Sequence, residues 1–276
     1  MMEILSEIFS YNFMQRAVIV GLLVSLCASL LGACLVLKRY SMIGDGLSHV
    51  GFGAMAVASV LHVAPLTVAI PVVVVAAFLL LRLSENSKIK GDAAIALIST
   101  SALAFGVMVI SGAKGVNVDI TNYLFGSILA ITSEDVYLSV ALSFVVLTLF
   151  ILFYNKIFAV TFDETFARAT GIKVGIYNML IAILTAVTVV IGMRMMGALL
   201  ISSLIIFPSL SAMRICKIFR SVVIVSALLS EGCFLIGLIV SYVYEFPTGA
   251  SIVMVNLFVF LLCSLVGALR GKIRNG

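Results

Sequence analysis

The chain has 276 residues, 63% of them hydrophobic, with no tryptophan and a mean hydropathy of +1.29. Soluble domains are about half apolar, so this excess excludes a soluble enzyme or binding module and selects a polytopic membrane protein. The net charge of +5 does not point to nucleic acid, because the basic residues are strung along short loops between apolar runs.

A hydrocarbon core of about 30 Å takes roughly 20 apolar residues of helix. By that rule, hydrophobic segments fall near 17–37, 42–61, 64–81, 92–112, 136–154, 175–193, 196–213, 221–243 and 250–269. This predicts an all-α integral membrane protein, a polytopic bundle of eight or nine transmembrane segments over 17–269, within one domain covering 1–276. Several segments are short or interrupted by Gly and Pro, as half-helices and re-entrant stretches are. Placing Lys38 and Arg39 in the cytoplasm and alternating from there collects fourteen Lys and Arg inside and leaves Arg16, Lys114 and Arg194 outside. That split is a strong positive-inside signal, with the N-terminus outside and the C-terminus inside if all nine runs cross. Glu3 and Glu7, without a basic n-region, argue against a cleaved signal peptide. Cys27, Cys34, Cys216, Cys233 and Cys263 lie in or beside apolar runs with no CxxC spacing and read as small buried hydrophobes.

Within the second segment, Ile43-Gly44-Asp45-Gly46-Leu47-Ser48-His49 sets a carboxylate and an imidazole four residues apart. On a helix these share one face, so both can point at one ligand. Ionisable groups at membrane depth cost a few kcal/mol or more, and two on one face are rarely there for packing. Carboxylate oxygen with imidazole nitrogen is a donor pair that first-row divalent metals accept. Glycines around the pair, Gly44, Gly46 and Gly51, read first as helix-packing positions. Glu231, inside the run from Val222 to Tyr242, must face a partner or a wet cavity; it reads as a third metal ligand, a proton acceptor, or an acid bonded to serines. The remaining acids, among them Glu85, Asp92, Asp119, Glu134, Asp135, Asp163, Glu164 and Glu245, fall at ends and loops and read as solvated. His62, before Pro65, reads as a loop residue, and Val116–Asp119 with Phe125–Ser127 as an outside loop on which a delivery protein could dock.

The polar stretch Phe162-Asp163-Glu164-Thr165-Phe166-Ala167-Arg168-Ala169-Thr170-Gly171 reads as a short exposed cytoplasmic helix, with Asp163 as its cap and Gly171 as its stop. Phe162 and Phe166 give it an apolar stripe for a partner to grip. There is no GxxxxGK[ST], no HExxH and no GxSxG, so the chain cradles no nucleotide phosphate and shows no catalytic motif. If ATP drives its work, another subunit hydrolyses it.

Over nearly its whole length the chain resembles the permease subunit of the bacterial zinc/manganese ATP-binding-cassette uptake systems, the ABC-3 family. The resemblance lies in Leu37-Lys38-Arg39, then Ile43 to His49, similar to the family's G-D-[AG]-[LI]-[SA]-H, and Gly91-Asp92-Ala93-Ala94-Ile95. It continues in Tyr123-Leu124-Phe125-Gly126-Ser127-Ile128-Leu129, in Phe162-Asp163 with Ala167 and Gly171, in Met196 to Leu200 with Pro208, and in Pro247-Thr248-Gly249. Ser127, Ala96 and Ser209 to Ala212 depart from the family pattern without touching Asp45 or His49. The resemblance implies a multi-pass protein of the bacterial cytoplasmic membrane, a homodimer that is not itself an enzyme. Its expected partners are an ABC ATP-binding subunit, which carries the ATP, and an extracytoplasmic metal-binding protein; no nucleic acid is among them. It implies no cofactor on this chain and a transported zinc ion, with manganese next. Asp45 and His49 are then metal ligands of the path, with Glu231 a further candidate on burial alone. The segment 162–174 is then the ATPase-coupling loop, with Phe162, Asp163, Glu164, Phe166, Ala167, Arg168 and Gly171. The rival from another class is an ion-coupled secondary metal transporter using Asp45, His49 and Glu231; a membrane sensor or scaffold would move no metal at all.

Overall fold

The computed structural model describes residues 12–86, 91–113, 126 and 133–275. All its regular elements there are helices: α1 (Asn12–Leu37), α2 (Ile43–Val60), α3 (Pro65–Asn86), α4 (Gly91–Gly112), α5 (Ser133–Leu152), α6 (Tyr154–Phe162), α7 (Glu164–Ala169), α8 (Val174–Met196), α9 (Ala198–Ile215), α10 (Phe219–Tyr244) and α11 (Thr248–Asn275). Eight of them are long and apolar enough to cross a membrane: α1, α3, α4, α5, α8, α9, α10 and α11. Each matches an apolar run of the sequence to within a few residues at its ends. The remaining run, 42–61, became α2, which carries Asp45, His49 and four glycines and is not one of the eight.

Burial orders these helices from the centre outwards. α1 and α8 are the most enclosed of the eight, and α11 shows most of its surface to the outside. Exposed Leu, Phe and Val on α4, α5 and α11 are what a lipid-facing wall requires, since lipid solvates apolar side chains as well as a core does. One large apolar cluster joins α1, α2, α3, α8, α9 and α10. α2 is held inside it: thirteen of its eighteen residues are buried, which is why a helix bearing two ionisable groups sits at the protein centre and not on the lipid face.

Close backbone approach makes that possible. A Cβ on Gly53 would stand 2.8 Å from the Ala102 carbonyl oxygen of α4, and one on Gly32 of α1 would stand 2.0 Å from the Ile205 oxygen of α9. Gly44, Gly46 and Gly51 take the packing role expected of them, since a Cβ there would stand 2.6, 2.7 and 2.7 Å from side-chain atoms of Ile205, Ile95 and Met193. A second adhesive is a ladder of serines between α1, α9 and α10. Ser230 and Ser226 donate to the Ser25 and Ser29 carbonyls at 3.1 and 3.3 Å, and Ser209 meets Ser226 at 3.2 Å. Such bonds hold membrane helices together where no hydrophobic force acts between them.

The five cysteines are free, and all but half-buried Cys216 are buried, as small hydrophobes are. His62 is exposed, in a left-handed turn after α2. The Val116–Asp119 loop and the Tyr123–Leu129 motif, Gly126 excepted, lie outside the described residues, as do Lys88, Lys90 and Lys114.

Candidate functional site

α1 ends in a tight turn. The Tyr40 and Arg39 amides donate back to the Leu35 and Val36 carbonyls at 2.8 and 3.1 Å, with Arg39 in the left-handed region at φ +62°. Paired bonds of this kind satisfy the carbonyls a helix end leaves over. α2 begins three residues after Tyr40, so Asp45 sits in its first turn and His49 one turn on. The His49 Nε2 stands 3.7 Å from Asp45 Oδ2. That is too long for a hydrogen bond. It is a separation that two ligands, each about 2.0–2.2 Å from one ion, leave between their donor atoms. Asp45 Oδ1 accepts from the Ser202 hydroxyl of α9 at 3.2 Å. His49 Nδ1 is buried and has no hydrogen-bond partner, and the His49 side chain is 20% exposed against 37% for Asp45. Nε2 and Oδ2 thus face one another without a bond between them, while Ser202 holds the other carboxylate oxygen.

Glu231 is not brought to this pair. It lies on α10 against α1, where its Oε1 accepts from the Ser25 hydroxyl at 3.4 Å. Of the three readings of Glu231, the acid bonded to a serine is the one with a contact. Among the described residues no three His, Cys, Asp or Glu side chains come together, so Asp45 and His49 stand there as a pair.

The polar segment 162–171 folds as its capping residues dictate. Asp163 Oδ1 accepts from the Thr165 and Phe166 amides, both at 2.9 Å, and caps α7. Gly171, at φ +83°, lets the chain turn after it. Phe162 and Phe166 are exposed, and Phe162 leans on Phe158 and on Phe219 of α10. Ala167 is buried with Val160 and Val174 in a small apolar cluster apart from the main core. Arg168 is exposed, 3.9 Å from Glu164.

Two charge contacts join residues far apart in the chain. Glu164, read as a solvated loop acid, accepts from Lys38 Nζ at 2.7 Å and from Asn178 Nδ2 of α8 at 3.1 Å. Burial pushes the Glu164 carboxyl up, but those two hydrogen bonds and the Lys38 and Arg168 charges outweigh it and hold it below the ordinary glutamate range. Asp135, also read as solvated, is buried. It pairs in two-pronged fashion with Arg194 at the far end of α8, Nε to Oδ1 at 3.0 Å and Nη2 to Oδ2 at 3.1 Å. One signal was available: Asn178 is a polar residue inside the 175–193 apolar run.

A bundle of this kind, with a carboxylate–imidazole pair on an enclosed helix and a capped helix projecting at one end, is that of a membrane transport subunit. The ABC 3 transport family model matches residues 10–267. The chain is similar to the manganese import system permease protein ScaB of Streptococcus gordonii, 30% identical over 94% of this chain and 93% of that one. It is similar also to the high-affinity zinc uptake system membrane protein ZnuB of Haemophilus influenzae, 31% identical over 91% and 97%. The solved PsaBC from Streptococcus pneumoniae in complex with Fab superposes with a TM-score of 0.84 at 29% identity, covering 95% of this chain and 94% of that one. The chain belongs to the ABC 3 transport family. It is a multi-pass protein of the bacterial cytoplasmic membrane and a permease, with ATP hydrolysis residing in a separate subunit.

Proposed function

We propose that this chain is the membrane-spanning subunit of an ATP-driven importer of divalent transition-metal ions, zinc or manganese. Asp45 and His49 are its ligands along the path. The observation that carries the reading is the 3.7 Å carboxylate–imidazole pair on a buried helix, with no third His, Cys, Asp or Glu beside it among the described residues. Relatives named for manganese and for zinc stand at nearly equal identity, and one nitrogen beside oxygen donors accepts either ion.

An extracytoplasmic binding protein delivers the ion, which exchanges part of its water shell for Asp45 and His49. The imidazole binds as its neutral form, and the cation's charge favours an ionised carboxylate. Two protein ligands completed by water hold the ion loosely enough to release it. Two copies of the chain meeting at an axis would present two such pairs. On the cytoplasmic side, Phe162 to Gly171 docks on the ATP-binding subunit, with the exposed Phe162 and Phe166 as anchors. Work enters as the differential affinity of nucleotide for the outward and inward arrangements.

The ion-coupled secondary transporter needs a proton acceptor at the metal pair, and Glu231 is engaged elsewhere, with Ser25. The two readings part in one experiment. The chain, reconstituted with the ATP-binding subunit and binding protein, is to take up zinc or manganese only with ATP. Uptake by the chain alone, driven by a proton gradient, would replace this reading with the rival.

A further inference from the structure

Lys38 is one of the basic residues of the positive-inside pattern, yet its side chain is only 7% exposed. An ammonium group has three donors and no acceptor, and burying it with any donor unmatched is costly. Here all three are matched, each by a different element. Nζ donates to the Val160 carbonyl of α6 at 3.3 Å, to Glu164 of α7 at 2.7 Å, and to the side-chain oxygen of Asn178 on α8. Asn178 closes the ring by donating to the same Glu164 oxygen.

The position of Lys38 in the chain gives this ring a direction. It is the first residue after α1, and the turn it opens is fixed by the paired bonds from Arg39 and Tyr40. Asp45 follows seven residues on, in the first turn of α2. α7, by contrast, buries its Ala167 in a satellite cluster separate from the main core. A polar joint with three fixed directions thus spans from α7 to the turn that starts the Asp45 helix. Apolar contacts slide; a saturated ammonium with three acceptors resists displacement in all three directions.

We propose that Lys38 is a positioning residue that links the ATPase-facing helix α7 to the turn carrying α2, so that a displacement of α7 reaches Asp45 and His49. This inference rests on the importer reading above. Lys38 touches no metal; it acts through Glu164 on one side and the α1–α2 turn on the other.

The test is the number of metal ions moved per ATP hydrolysed, in the reconstituted complex of this chain with its ATP-binding subunit and binding protein. Lys38→Met and Glu164→Gln are each expected to lower that ratio by about fivefold or more while ATP is still hydrolysed, a size usual for coupling between sites. The double variant is expected to be no worse than Lys38→Met, because the two groups act as one unit. A purely structural role would lower complex yield and ATPase rate together and leave the ratio unchanged, which would overturn the proposal. If Lys38→Met fails to assemble, Glu164→Gln decides, since that carboxylate is partly solvated and its amide keeps the shape. Wild-type uptake that ignores ATP would remove the importer reading itself. ATP-dependent wild-type uptake with an unchanged ratio in Glu164→Gln would remove this inference alone.

Discussion

Two of the acid–base pairs in the described residues have opposite finish. At Asp45 and His49, the facing oxygen and nitrogen stand 3.7 Å apart with no bond between them, the other imidazole nitrogen has no partner, and a serine steadies the carboxylate. At Lys38 and Glu164 the charged atoms stand 2.7 Å apart, all three ammonium donors are matched, and an asparagine bonds the same carboxylate oxygen. A pair with spare donors is suited to a guest that comes and goes. A pair with none to spare is suited to holding helices in place. Asp135 and Arg194, bidentate at the other end of α8, belong with the second kind.

The largest expected effect comes from the unfinished pair. Asp45→Ala is to reduce metal uptake by about tenfold or more, the loss that one direct ligand of about 1.4 kcal/mol implies, with thermal stability within ~1 kcal/mol of wild type. Uptake and a melting curve on the same preparation check both. If stability fell as far as uptake, Asp45 would belong with the finished pairs instead.

The order reverses at the other end of α8. Asp135→Asn leaves Arg194 with a neutral partner in a mostly buried place and is expected to cost about 3 kcal/mol of stability, read by thermal unfolding in detergent. Smaller again is Asp163→Ala, which removes the α7 cap at a cost of about 1 kcal/mol. Faster hydrogen exchange at the Thr165 and Phe166 amides, the two that Asp163 accepts from, would register it.

The smallest is a pH effect at Glu164. Its folded carboxyl titrates below the ordinary value of 4.5, so the fold binds the ionised form more favourably. That contribution is whole above the unfolded value and is lost as pH falls through the folded one. Stability measured from pH 6 downward is to decline less steeply in Glu164→Gln than in wild type, and an identical slope would show that the carboxylate contributes nothing. Because Glu164 is partly exposed, the difference is to be small.

How far these regions could be read in the sequence follows from the distances along the chain. Asp45 and His49 are four apart, and helical periodicity alone puts them on one face. Asp163 and the amides it caps lie within one turn, so the start of α7 was also legible, as were the apolar runs that became the membrane-length helices. Lys38 meets Glu164 across 126 positions, and Asp135 meets Arg194 across 59. Such pairings are set by how helices pack, for which a single sequence carries no period. Glu231 shows both sides of this: its place inside an apolar run demanded a partner, and only packing decided that the partner is Ser25 and not Asp45 or His49.

The most direct measurement is uptake of zinc against manganese in vesicles holding the chain with its ATP-binding subunit and binding protein, wild type beside His49→Ala. The account predicts uptake of one or both ions that requires ATP and is lost in His49→Ala while the complex still assembles and hydrolyses ATP. Undiminished uptake by His49→Ala would contradict it.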